Sequence, residues 1–464
     1  MKRQRIAAID ILRGIAIIGM VLSANIGFSS DLPAWMFHAQ TPPPTHAFNP
    51  DVPGITWVDL VFPFFLFSMG AAFPFAMRRR LEDGQGTLSV VGGLVKRWFI
   101  LTVFALVLGN CYALHSNVHP VWQIQVFRLA VWAAMFLALV RVKTPSTEGW
   151  KKHLAAAVNL CGVAMLVLLG FVYTGYFNQS LNRYASDIII MILANVAIFG
   201  GLIWLLTKDS VRLRWLVLVL MAAIKAVSSH APESLSFMPS LSGVSWFFSY
   251  KFLQYIIIAV AGSIVGDLIM SHSRSGEDIV VSDKGVMAGF AALAAVFLQL
   301  WGLFTRNVLA DFIISSALAG LFFILVRKER NIWTKTVLIG FALMLIGIVF
   351  DPIDGGITKD HCNLSYLLTT GGMAAIVTGF LLMLEFRFKT KCGFVAGVGQ
   401  NPMLAYTVTN FLTGPILHMT GYIAWMAALA QGSPFWGFVQ GFVITLLMMC
   451  VTYVFTKLKL FWRS

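Results

Sequence analysis

The chain has 464 residues, of which 58% are hydrophobic and 12% charged, and its mean hydropathy is +0.80. A soluble domain carries about 25% charged residues, so a soluble fold of this size has no place for the surplus apolar surface and lipid must cover it. The formal net charge of +14 sits in short segments between apolar runs, which is the pattern of topological orientation and speaks against a nucleic-acid partner.

The apolar runs are continuous rather than alternating, which predicts helices instead of a closed barrel. In chain order, spans are expected over about 8–28, 57–77, 95–113, 121–141, 153–173, 187–206, 213–229, 247–270, 286–304, 308–326, 334–350, 365–385, 402–424 and 434–457. The start of the chain, basic and then apolar, imitates a signal peptide, but no small-x-small cleavage site follows and Asp10 and Arg13 interrupt the run. It reads as an uncleaved first span. Basic residues fall at Lys2–Arg5, Arg78–Arg97, Arg141–Lys152, Lys208–Arg214, Arg274–Lys284, Arg327–Lys335, Arg387–Lys391 and Lys457–Arg463. These are alternate loops and both ends, which predicts cytoplasmic termini and an even number of spans. The expected fold class is an all-α polytopic membrane protein, a bundle of about 11 to 14 helices forming one membrane-embedded domain over 1–464. Cys111, Cys161, Cys362, Cys392 and Cys450 are scattered without a C-x-x-C, so neither a disulfide framework nor a metal site is expected. The absence of a visible repeat weighs against inverted-repeat transporters.

Chemistry is sought first where polar groups are costly. The long loop at 29–56 is rich in Pro and aromatics and holds His38 and His46. It is too apolar for disorder and is expected to fold back over the bundle. Asp59 follows Thr56 as T-x-x-D, which fits either a capping box or a carboxylate that orients a loop histidine. Asp10 and Arg13 share one helix face and can pair there, or Arg13 can meet a polyanion. Arg128, Asp187, Lys225, Asp267 and Asp311 lie inside apolar spans, and Asp187 and Asn195 can bridge helices. The polar segment 351–366 carries Lys359, Asp360 and His361, of which Lys359 and Asp360 are expected substrate contacts, and G-Q-N-P at 399–402 offers Asn401 as a cap or a ligand contact. The histidines lack the spacing of a zinc site, and no G-x-S-x-G or Walker sequence occurs.

D-I-L-R-G-I-A-I-I-G-M-V-L-S-A-N at 10–25, the His-Ala dipeptides of the loop, and G-I-T-W-V-D-L-V-F-P-F-F-L-F-S-M-G at 54–70 resemble heparan-alpha-glucosaminide N-acetyltransferase and its bacterial inner-membrane relatives. The likeness is strongest over 8–80; around 365 and 401 it is weaker, and over the remaining helices within 81–464 it is mostly one of hydropathy. It implies transfer of an acyl group, expected to be acetyl, from cytoplasmic acyl-CoA to a sugar or glycan across a bacterial inner membrane. The family's catalytic histidine corresponds to His38 or His46, with Asn25 and Asp59 matching its flanking positions. Acetyl-CoA or another acyl-CoA is the expected co-substrate, and Arg13, Arg78, Arg79, Arg80 and Arg97 could meet its phosphates. The lipid bilayer and the acceptor are the expected partners, and a homodimer stays open. The alternative from another class is a secondary transporter of sugars or amino sugars, coupled through Asp187, Lys225, Asp267 and Asp311.

Overall fold

A computed structural model describes residues 6–27, 32–114, 119–142, 149–230, 244–276 and 278–462. The basic residues at 2–5, Lys143 and Arg463 lie outside the described residues, as do residues 28–31 of the long loop. The helices are α1 (Ala8–Asn25), α2 (Trp57–Glu82), α3 (Thr87–Tyr112), α4 (Val121–Leu139), α5 (Gly149–Gly175), α6 (Ile188–Leu206), α7 (Val211–His230), α8 (Tyr250–Leu253) and α9 (Ile256–Ser275). They continue with α10 (Asp283–Thr305), α11 (Val308–Val326), α12 (Ile332–Phe350), α13 (Leu364–Phe388), α14 (Gly393–Gln400), α15 (Pro402–Val408), α16 (Gly414–Met419), α17 (Tyr422–Gly432) and α18 (Pro434–Lys457). Among the described residues, 12 helical runs are long and apolar enough to cross a membrane: α1–α6, α8 with α9, α10–α13 and α18. The protein is an all-α polytopic membrane protein.

Two expected spans fall outside that set. Residues 213–229 do form a helix, α7, but Arg212, Arg214 and Lys225 dilute its apolar character. Residues 402–424 are broken into α15, a π-helical turn over Thr409–Thr413, α16 and the start of α17. Pro415 cannot continue a hydrogen-bond ladder, and Gly421 takes φ +78° between α16 and α17. One element was not expected: β1 (Val140–Val142) pairs antiparallel with β2 (Leu460–Trp462).

The chain forms two compact units. The first comprises Met1–Ala16, Pro33–Trp98 and Ile192–Cys392. Its centre is α13, 89% of whose apolar window is buried, packed on α2, α9, α10 and α12. Lipid tails give no hydrophobic drive for helices to associate, so close backbone contact must supply the cohesion. The G-S-I-V-G run at 262–266 provides it against α2. A Cβ on Gly262 would stand 2.2 Å from the Phe67 carbonyl oxygen, and one on Gly266 2.3 Å from that of Ala71. From the α2 side, a Cβ on Gly70 would stand 1.9 Å from the Ala259 oxygen.

The second unit comprises Ile17–Leu32, Phe99–Met191 and Gly393–Ser464. Here α4 packs on α5 and α16, and α18 packs on α14, α15 and α17. Its strand pair is held by Asn401, whose amide donates to the Leu460 carbonyl (2.8 Å) and accepts from the Trp462 amide (3.0 Å). Trp462 is thereby buried beside Phe104 and Trp132.

Candidate functional site

The site of the first unit begins with the start of α2. Thr56 is the N-cap, and its hydroxyl accepts from the Val58 amide. The Asp59 carboxylate is fully buried, and its two oxygens do different work. Oδ2 accepts from the Thr56 amide at 2.9 Å, closing a capping box, while Oδ1 faces His38 Nδ1 at 2.6 Å. The capping and histidine-orienting readings of Asp59 both hold, one per oxygen. With Nδ1–H donating to Asp59, the lone pair of His38 is on Nε2, the arrangement required of a base or nucleophile.

Pro63 adds a second fixture. It has no N–H, so the Asp59 carbonyl four residues earlier loses its helical donor. The buried Tyr366 hydroxyl, from α13, donates to that carbonyl at 2.8 Å. Lys359 completes the cluster: its Nζ lies 3.2 Å from both ring nitrogens of His38 and 3.8 Å from Asp59 Oδ1. His38 keeps 37% of its side chain exposed, against 0% for Asp59, so the imidazole is the reachable member.

Two interlocked loops hold these groups. Gln40, fully buried, donates to the carbonyls of Val52 and Gly54, and Thr56 Oγ1 donates to the Phe37 carbonyl at 2.7 Å. The loop therefore folds back on the helices, as its composition predicts. Gly54 takes φ +128°, a conformation open to glycine, and its amide donates to the Ile357 carbonyl at 2.8 Å. The facing loop is braced by the two hydrogen bonds between Arg306 and Asp351 (3.0 and 2.7 Å) and by Asn363 on the Gly356 carbonyl. Cys362 lies in that loop, but burial pushes its thiol up to about 12, so it stays protonated and is no nucleophile at neutral pH.

At the other end of α2 lies a cavity of about 340 Å³ whose lining includes Asp10, Arg13, Phe75, Arg79, Ser273 and Arg274. Arg13 donates to the Ser68 hydroxyl and carbonyl (3.3 and 3.2 Å) and stands 3.8 Å from Asp10. Arg274 pairs with Glu82. Arg97 is near enough to Arg13 for charge repulsion, and its buried Nε has no hydrogen-bond partner among the described residues. Three guanidinium groups from α1, α2 and α9 thus share one cavity.

The structure does not gather every expected residue. His46 Nδ1 lies 3.2 Å from the Thr41 carbonyl and its ring is edge-on to Phe37 at 4.6 Å, both partners in its own loop. Arg78 donates to the Lys208 carbonyl (2.5 Å), and Arg80 to Gln85 and the Ser89 carbonyl. Asp360 is exposed beside Lys359, and His361 pairs with Asp51 at 2.7 Å. Asn25 and Asn401 belong to the second unit, where the Asn25 amide donates to the Val21 carbonyl at 2.7 Å. Of the membrane-embedded charges, Asp267 pairs with Arg214, Lys225 meets Gln254 (3.0 Å) and Asp311 meets Gln299, whereas the buried Nε of Arg128 has no hydrogen-bond partner among the described residues. Asp187 accepts from the Ile190 amide (3.0 Å) and the Tyr406 hydroxyl (2.8 Å). Arg274 was missed by sequence reasoning; its only signal is a basic residue ending an apolar run, which Arg79, Arg387 and Lys457 share.

A family profile described as "Domain of unknown function (DUF5009)" matches residues 5–269. The chain belongs to the DUF5009 family. No curated protein matches the chain. The DUF5009 match takes in Arg13, His38, Asp59 and Arg79, while Lys359 and Tyr366, which complete the histidine cluster, come from beyond it.

Proposed function

We propose that this DUF5009 protein is a membrane acyltransferase that takes an acyl group, in the first instance acetyl, from acyl-CoA and gives it to a sugar or glycan on the opposite side of a bacterial inner membrane. The observation that carries the reading is the 2.6 Å contact between His38 Nδ1 and the fully buried Asp59 carboxylate. A buried acid that holds one ring nitrogen of a part-exposed imidazole is the arrangement of a general base. His38 Nε2 takes the proton from the acceptor hydroxyl or amine as its oxygen or nitrogen attacks the thioester carbonyl. The C–S bond then breaks, and the CoA thiolate leaves and is protonated. Lys359, in reach of both ring nitrogens, is placed to hold the acceptor or the developing oxyanion.

The arginine cavity suits the phosphates of CoA, because guanidinium groups bind phosphate through paired, charge-assisted hydrogen bonds. Asp59 and Arg79 are 20 residues apart on α2, which is about 30 Å at ~1.5 Å per residue. Ser68, where Arg13 docks, is nine residues from Asp59, or about 13 Å. Phosphates bound at Arg79 and Arg274 would leave the pantetheine arm to run along α2 toward His38. The arginine end then faces the cytoplasm, as the alternation of basic loops predicts, and both termini lie on that side.

The test is acyl transfer from acetyl-CoA by detergent-purified protein, measured as CoA thiol release with sugar acceptors. His38→Ala should lower turnover by about 10²–10⁴-fold. His46→Ala, which leaves the His38–Asp59 contact in place, should change it by less than about threefold. Full activity in a correctly folded His38→Ala protein would remove His38 from the mechanism.

A further inference from the structure

The second unit contains a cavity that the proposed acyl transfer does not use. It lies among α3, α4 and α5, has a volume of about 300 Å³, and is walled by residues such as Leu106, Phe127, Val131 and Leu169. At one end the lining changes to Asn182 and Arg183, from the segment between α5 and α6. Along α3 it extends from Val103 to Cys111, about 12 Å at ~1.5 Å per residue. The cavity is therefore long, apolar along its length and cationic at one tip.

Its surroundings point to an occupant. Only 6% of the apolar window of α5 is buried, so this helix presents its side chains to the bilayer. Leu160, Leu168 and Phe171 of α5 are exposed, as are Tyr176, Leu181 and Tyr184 just beyond it. The cavity is thus edged by the lipid-facing surface. Arg183 is the one basic residue in the segment 176–187. Its guanidinium donates to the Tyr184 hydroxyl at 3.2 Å and lies 5.1 Å from that ring, and it has no ion-pair partner among the described residues. The nearby carboxylate of Asp187 is already engaged by Ile190 and Tyr406. A cation without a counter-charge, at the tip of an apolar slot edged by lipid-facing surface, is complementary to one kind of molecule: a lipid with an acyl chain and a phosphate.

We propose that this cavity is a binding site for an anionic phospholipid of the bilayer, its acyl chain between α3, α4 and α5 and its phosphate on Arg183. Gly170 supplies the means to test it. It lines the cavity, yet a Cβ built on it meets nothing within 4 Å. Gly170→Leu therefore sets its Cβ in open space at the cavity wall, adds bulk to that wall, and replaces a poor helix former by a good one.

The full-length protein is purified in detergent, titrated with phosphatidylglycerol or phosphatidylcholine of the same chains, and lipid retention is read by native mass spectrometry. The wild type should retain one phosphatidylglycerol in preference to phosphatidylcholine by about tenfold or more, because both carry the phosphate but the choline ammonium cancels its charge and repels the Arg183 guanidinium. Arg183→Gln should abolish that preference while Arg183→Lys keeps part of it. Gly170→Leu should reduce retention of both lipids. Retention that is indifferent to headgroup and unchanged in Arg183→Gln overturns the headgroup assignment. Undiminished phosphatidylglycerol binding in a folded Gly170→Leu protein overturns the cavity itself. Neither result depends on acyl-transfer activity.

Discussion

Replacing Asp59 by Asn separates the two tasks of that side chain. The amide oxygen can take the place of Oδ2 and still accept from the Thr56 amide, now at 2.9 Å, so the cap of α2 persists. The amide nitrogen then occupies the position of Oδ1, 2.6 Å from His38 Nδ1. It can only donate, so Nδ1 must accept and the ring proton moves to Nε2. The base has then lost its lone pair, and turnover should fall by about 10²–10⁴-fold. Stability should change by no more than about 1 kcal/mol, because the cap is intact. Asp59→Ala is the contrasting case. It leaves the buried Thr56 amide without its acceptor, which costs about 1–3 kcal/mol, and folded yield should drop along with activity. The assay is CoA release from acetyl-CoA, with the Michaelis constant followed in parallel. That constant should hold steady in Asp59→Asn, since Arg79, where the phosphates are placed, is about 30 Å away along α2. An Asp59→Asn protein that folds and keeps its turnover within threefold would falsify the tautomer argument.

Two further outcomes follow from the same unit. Arg274→Ala should raise the Michaelis constant for acetyl-CoA by about tenfold or more with little change in kcat, because one charge-assisted contact to phosphate is worth about 1.5–3 kcal/mol; an unchanged constant removes this arginine from the CoA site. Gly266→Leu should destabilise the protein by about 1–3 kcal/mol or more, since its Cβ would stand 2.3 Å from the Ala71 carbonyl oxygen; Gly92→Leu, where nothing lies within 4 Å, should be tolerated, and fluorescence-detected size exclusion after heating reads the difference.

The helices were legible because membrane spans depend on continuous apolar runs, a local property. Two expected runs, 213–229 and 402–424, fall outside the helices long and apolar enough to cross a membrane, the first for its cations and the second for its breaks. In α7 three cations are spread through apolar sequence, and Arg214 and Lys225 find partners in Asp267 and Gln254. In 402–424 the interruptions are a proline and glycines, and their effect on a helix depends on what packs around them. The site was legible where its parts are neighbours in sequence: T-x-x-D announces the cap, and the loop announces two histidines. That His38 faces Asp59 needed the third dimension, since both loop histidines are followed by alanine and both sit among aromatics. Arg274 stands 261 residues from Arg13 in the chain, and a single sequence holds no signal that brings them to one cavity.

The short segment from Thr56 to Pro63 places three constraints within two turns of helix. Asp59 is buried although an acid in an apolar setting is costly, and that cost is met by Thr56, His38 and Lys359. Pro63 removes a backbone donor inside a helix, and the freed carbonyl is the one belonging to Asp59. Tyr366 answers it from α13, the most buried of the candidate spans. A segment selected for stability alone would avoid both departures, whereas departures that converge on one residue and are each compensated mark a site. The compensation also fixes geometry. With its backbone pinned by Tyr366 and one oxygen pinned by Thr56, Asp59 has a single direction left for Oδ1, and His38 stands in it.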